Sequence, residues 1–167
     1  MDTLIAGWHR LTAALESVGE WVGLLPLRLL LAWEFWESGI VKLQGENWFG
    51  DVQDAFPFPF NGVPADISWF LATWTEILGA LGLALGLFTR FWAIGLIILS
   101  IVAIAGVHWP DDWGGLAELW QGYAITDKGY GNYKLPLIFM VMLWPLVFLG
   151  PGKASLDRLL ARWLVKP

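Results

Sequence analysis

"LLLAWEFWESGIVKL", residues 29–43, decides how this chain folds. It is apolar and aromatic enough for hydrocarbon, yet it holds Glu34, Glu37 and Lys42, with Arg28 one residue upstream. A charge at the centre of a membrane helix costs about 2.5–3.5 kcal/mol on insertion scales, so ionisable groups in such segments face the interior of a bundle and one another. On a helical wheel with Arg28 at zero, Lys42 falls at about −40°, Ser38 at about −80°, Glu34 at about −120° and Glu37 at about 180°. All five share one half of the helix. The other half, with Leu29, Leu30, Ala32 and part of Trp33, suits lipid or flanking helices. The stretch therefore predicts a membrane helix that turns its charged half toward other helices.

The rest of the chain agrees in composition. Of 167 residues, 57% are hydrophobic and only 15% charged, against about 25% charged in a soluble domain. Aromatic residues make up 16%, with 13 Trp among them. The length allows one bundle, a single domain over residues 1–167. A net charge of −5 gives no reason to expect a nucleic-acid partner. The absence of cysteine removes disulfides, CxxC redox chemistry and thiolate metal sites. With only His9 and His108, a metal site of several histidines is nearly excluded, and neither haem nor metal is predicted.

Four apolar stretches predict transmembrane helices at about 21–41, 67–88, 91–109 and 133–149, each near the roughly 17–25 residues a span needs. The last is short, and Pro145 is expected to kink it or limit its end. Residues 1–20 lack the basic start and unbroken apolar run of a signal peptide. Leu4, Trp8, Leu11, Leu15 and Val18 recur there at helical spacing, which predicts a surface helix over about 3–18. Further surface helices are predicted at about 113–124 and 155–165, the latter with Ser155 as N-cap. The expected fold is an all-α, integral membrane four-helix bundle with amphipathic interfacial helices at both termini.

Basic residues orient it. Arg10, Arg90, Lys153, Arg158, Arg162 and Lys166 would lie on one side, and Lys42, Lys128 and Lys134 on the other. That places both termini and the Thr89-Arg90 turn in the cytoplasm, with the long loops 42–66 and 110–132 outside.

Two candidate sites follow. The first is an intramembrane polar cluster of Arg28, Glu34, Glu37, Lys42 and Glu76, whose acids Glu34 and Glu76 both lie about 18 Å above the cytoplasmic ends of their helices. It reads either as a structural cluster that fixes helix register or as a proton-handling or quinone-facing site. The second is an outer-face pocket of His108, Trp109, Trp36 and Trp113, where an imidazole among aromatic rings could hold a quinone headgroup; equally, Trp belongs at interfaces and a lone His commonly ends a helix.

Several segments together resemble one family. "LPLRLLLAWEFWESGIVKL" resembles the opening of DoxX membrane proteins, "WTEILGALGLALGLFTRFWAIGL" their acid-Leu-Gly helix with a Thr-Arg turn, and "GPGKASLDRLL" their closing segment, in order over about residues 22–160. "VHWPDDW" and "GYGNY" resemble a DoxX branch found with copper-binding modified-peptide biosynthesis genes. The resemblance implies a four-helix bundle of the bacterial inner membrane and singles out Arg28, Lys42, Glu76 and the cytoplasmic-turn Arg90. It also implies a small accessory subunit of a respiratory or other electron-transfer complex, with other membrane subunits and the bilayer as partners, a quinone as the one cofactor to consider, and no independent catalysis. The alternative it carries is an accessory role in copper-peptide maturation or export.

Overall fold

A computed structural model describes residues 2–110, 114–121 and 132–164. Among these residues the chain is helical, with turns and no strand. Helix α1 runs Asp2–Val22, α2 Leu25–Gln44, α3 Ala65–Leu85, α4 Thr89–Ala103, α5 Leu116–Gln121, α6 Lys134–Leu149 and α7 Leu156–Leu164. Three short 3₁₀ turns fill the connection between α2 and α3, and a π-turn, Ile104–His108, prolongs α4.

Each boundary has a local cause. Pro26 has no N–H to give the Val22 carbonyl, so the hydrogen-bond ladder of α1 cannot run on into α2. The break falls at Gly23-Leu24, so the first long apolar helix begins at Leu25 instead of about 21 and continues to Gln44. Helix α1 correspondingly extends past residue 18 to Val22. Helix α3 stops at Gly86, whose φ of 66° closes the last turn, with the Leu87 N–H on the Gly82 carbonyl at 2.8 Å. Pro145 lies inside α6, which continues to Leu149. The surface helix expected at 113–124 is seen as Leu116–Gln121, and Trp113 and residues 122–124 fall outside the described residues.

Helix α2 packs chiefly on α3, α3 on α4, α4 on α6, and α6 touches α2 again. Leu31, Phe35, Leu83, Leu96, Leu143 and Leu146 fill the centre. Gly39 brings α2 against α3: a Cβ there would stand 2.7 Å from Ile77 Cγ1. Small residues at such crossings allow the close backbone approach on which helix association in lipid depends.

The outside is apolar. Leu30, Trp33, Val41, Phe70, Phe91, Val141 and Trp144 are all exposed, a surface far more extensive than a water-soluble monomer carries. Helices Ala65–Leu85 and Thr89–His108 are each long and apolar enough to cross a membrane, while α6 is apolar but only 16 residues long. Helix α2 matches them in length and carries four charged residues, Arg28, Glu34, Glu37 and Lys42.

Candidate functional site

The ionisable residues of the bundle form two separate nodes, one at each end of α2. At its start, Arg28 is 1% exposed and spends its guanidinium on carbonyls. Nε donates to Leu83 O at 2.8 Å and Nη2 to Ala84 O at 3.0 Å, both in the last turn of α3. Nη1 donates to Pro151 O at 2.6 Å and Ala154 O at 2.9 Å, in the segment between α6 and α7. The last carbonyls of a helix have no partner within it, and a buried helix end must find one elsewhere. One planar fork of five donors ties α2, α3 and the 151–154 segment together.

The surrounding contacts follow the same logic. Asp157, in the first turn of α7, accepts the N–H groups of Phe88 at 2.7 Å and Thr89 at 3.0 Å, so a side chain from α7 caps α4. Its own N–H reaches Gly86 O at 2.9 Å. Gly86 can be only glycine: besides its positive φ, a Cβ would stand 2.5 Å from Ser155 Cβ and 2.9 Å from Arg28 Nη2. Arg90 donates from Nε to Val147 O at 3.0 Å and from Nη2 to Phe148 O at 3.4 Å, closing the end of α6. Lys153 reaches α1: its N–H bonds Glu20 O at 2.8 Å, its ammonium pairs with the Glu20 carboxylate, and it lies 5.9 Å from the Trp21 ring centroid. The Lys153 hydrogen bond and charge hold the Glu20 carboxyl below the usual carboxylate range.

The second node lies between α2 and α3. Glu76, 3% exposed, accepts at Oε1 from Ser38 Oγ at 3.0 Å and from Lys42 Nζ at 2.9 Å. Lys42 Nζ also donates to Ser38 Oγ at 2.9 Å. Glu76 Oε2 is buried and has no hydrogen-bond partner among the described residues. Of the five residues the sequence analysis grouped, only Lys42 and Glu76 meet. Arg28 belongs to the other node. Glu34 is half-buried and Glu37 exposed, and neither makes a hydrogen bond or ion pair with a described residue.

Beside this triad a groove of about 300 Å³ is lined by Lys42, Leu43, Asn47, Asp66, Trp69, Phe70, Thr73 and Trp74. Asn47 Nδ2 donates to Asp66 Oδ1 at 2.8 Å, bridging the end of α2 to the first turn of α3. Phe49 packs edge-on against Trp69 at 5.0 Å and against Phe56 at 5.2 Å, forming an aromatic cap over that end of the bundle. Phe56 in turn lies over Gly106 of the π-turn, where a Cβ would stand 2.5 Å from its ring.

His108 closes the π-turn. Its Nδ1 bonds the Asn132 carboxamide oxygen, and the Asn132 N–H returns to His108 O at 3.1 Å. Trp109 packs on Tyr133 at 5.6 Å. Ile101, Ile104, Ala105 and Trp109 line an apolar groove of about 420 Å³. Trp36 is 38% exposed on α2, and Trp113 lies outside the described residues.

Sequence reasoning missed Asp157 as a capping side chain, Ser38 as the bridge of the acid–lysine pair, and the carbonyl partners of Arg28 and Arg90. Two signals were present. Ser38 and Lys42 are four apart and so neighbours on one face, and Asp157 follows directly on the Ser155 break that starts α7.

An apolar exterior around helices fastened by arginine-to-carbonyl bonds and a buried acid–lysine pair defines a helical membrane protein. Residues 23–109 match the DoxX family profile, and the chain belongs to the DoxX family. A protein of Haemophilus influenzae (strain ATCC 51907 / DSM 11121 / KW20 / Rd), itself uncharacterised, is 45% identical over 148 residues, 89% of each chain. No solved structure matches the chain. The matched span contains Arg28, Lys42, Glu76, Arg90 and His108, whereas Asp157 and the 151–154 segment lie beyond it.

Proposed function

We propose that this DoxX protein is a single-domain, four-span subunit of the bacterial inner membrane, built on α2, α3, α4 with its π-turn, and α6. Both termini and the Thr89-Arg90 turn face the cytoplasm, with α1 and α7 lying along that surface. In this reading it is an accessory subunit of a membrane redox complex, without catalysis of its own, and it holds a quinone at the outer face beside His108 and Trp109.

The observation that carries the accessory role is where the buried polar groups go. Arg28 is committed to four carbonyls, and Lys42 and Ser38 to Glu76. Both nodes serve helix register, which is what a scaffold needs. The quinone follows from the pairing of a tethered imidazole at His108 with an apolar groove along Ile101, Ile104 and Ala105, a polar head beside a path for an isoprenoid tail. The redox assignment rests on the family resemblance. Helix α6, at about 24 Å, is shorter than a hydrocarbon core of about 30 Å, which local thinning and snorkelling of Lys134 accommodate.

Mild detergent extraction from native membranes, followed by mass spectrometry of proteins and lipids, tests this. Redox-complex subunits and a quinone should accompany the chain, and His108→Ala should lose the quinone while keeping the subunits. A chain that elutes alone without quinone, or with peptide-modifying proteins instead, would overturn the proposal.

A further inference from the structure

The groove beside the Lys42–Glu76 pair has a charge pattern that the scaffold role leaves unused. Lys42 is 16% exposed, and two of its three N–H donors are taken, by Ser38 and Glu76. The third is available to the groove that Lys42 lines. At the other end of the groove stands Asp66, with one carboxylate oxygen on Asn47. Asp66 lies in the first turn of α3, and the Lys42 ammonium is held by Glu76, ten residues further along that helix. The cation is therefore deep and the anion shallow. Trp69, Phe70 and Trp74 form the walls.

We propose that this groove binds a zwitterionic phospholipid with a primary-amine headgroup, phosphatidylethanolamine in chemical terms. Its phosphate takes the free donor of Lys42 and its ammonium takes Asp66, with the aromatic walls against the glycerol and the first methylenes. The order of charges matches how such a lipid stands in a leaflet, amine outermost and phosphate beneath. Lys42 and Asp66 cancel, and Glu76 behind Lys42 adds a further negative charge, so a purely anionic lipid is disfavoured. A primary ammonium can donate hydrogen bonds to Asp66, which a quaternary choline cannot. Basic sites between membrane helices that hold lipid headgroups follow the same electrostatics. The inference rests on α2 and α3 spanning the bilayer, and it is independent of the redox partner.

The full chain, reconstituted in nanodiscs of equal phosphatidylethanolamine, phosphatidylglycerol and phosphatidylcholine, is released into native mass spectrometry. Phosphatidylethanolamine should be retained in preference to both others. Asp66→Asn preserves the shape and the contact with Asn47, and should cut the preference over phosphatidylcholine by about five- to tenfold, the loss of one charge-assisted hydrogen bond. Retention in bulk proportions, preference for phosphatidylglycerol, or an unchanged preference in Asp66→Asn would overturn the proposal. Should that variant fail to fold, a phosphatidylethanolamine with a photoreactive group near its headgroup, on the unaltered chain, should label residues 66–74; labelling spread over all the apolar helices would overturn it. Soluble glycerophosphoethanolamine should not displace the lipid, and displacement would assign the site to a free aminophosphate instead. Failure here with α2 and α3 shown to span the membrane refutes the lipid site alone.

Discussion

Replacing Arg28 by methionine keeps much of the side-chain length and removes every donor. Four carbonyls lose a partner, but Leu83 O also accepts the Gly86 N–H at 3.2 Å. Ala84, Pro151 and Ala154 are left with no other hydrogen bond in the node. A buried acceptor without its partner costs about 1–3 kcal/mol. Taking the lower half of that range for three acceptors, since the segment after α6 can relax, gives about 3–6 kcal/mol. In a domain of this size that lowers the midpoint of thermal unfolding by about 10–20 °C. Arg28→Lys should fall between, because one ammonium cannot reach both the α3 carbonyls and the 151–154 segment. Circular dichroism melts in a mild detergent, with monodispersity checked by gel filtration, give the readout. A midpoint for Arg28→Met within about 2 °C of the unaltered protein would refute the view that this guanidinium fastens the bundle.

Glu76→Leu should destabilise more than Glu76→Gln, by about 2–3 against about 1 kcal/mol, because glutamine still accepts from Ser38 while leucine leaves Lys42 unpaired; equal losses in detergent melts would contradict the triad. Asp157→Ala removes the cap on the Phe88 and Thr89 N–H groups and should cost about 1 kcal/mol, with amide exchange at the start of α4 accelerating first. Glu20 titrates below the usual carboxylate range because it is paired with Lys153, so its contribution to docking α1 is present above that range and is lost as pH falls through the lowered value. Protection of the α1 amides near residue 20, taken as the ratio of the intrinsic to the observed exchange rate at each pH, should therefore be steady from about pH 8 to about pH 5 and fall only below that, by a small factor given the exposure of the pair. A loss of protection already near about pH 7 would contradict the assignment.

The helical segments were legible because their hydrophobicity and aromatic flanks are intrinsic to the sequence. The pairing of Lys42 with Glu76 was not: the sequence groups both with Arg28, Glu34 and Glu37 and sets Glu34, not Lys42, at the level of Glu76. The wheel was too coarse to separate Lys42 and Ser38 from Glu34 and Glu37: all four lie on one half of α2, but only the first two sit where Gly39 lets α3 approach. Arg28 was misgrouped for a different reason. Its partners are carbonyls, which every residue has, and only the placing of the helix ends at Gly86 and Gly150 reveals which of them need a donor. The Gly23-Leu24 break was signalled by Pro26 and hidden by the unbroken apolar composition around it. The π-turn at 104–108 comes with Gly106 under the Phe56 ring, a contact between segments fifty residues apart that periodicity cannot register.

The absence of cysteine makes the central claim directly measurable. Single cysteines placed at residues 3, 50, 62, 87 and 160 of the functional protein can be labelled in intact cells with a membrane-impermeant maleimide. The four-span arrangement predicts that positions 50 and 62 react from outside, and that 3, 87 and 160 react only after the membrane is opened. Reaction of 3 and 160 from opposite sides, or of 87 together with 50, would contradict it.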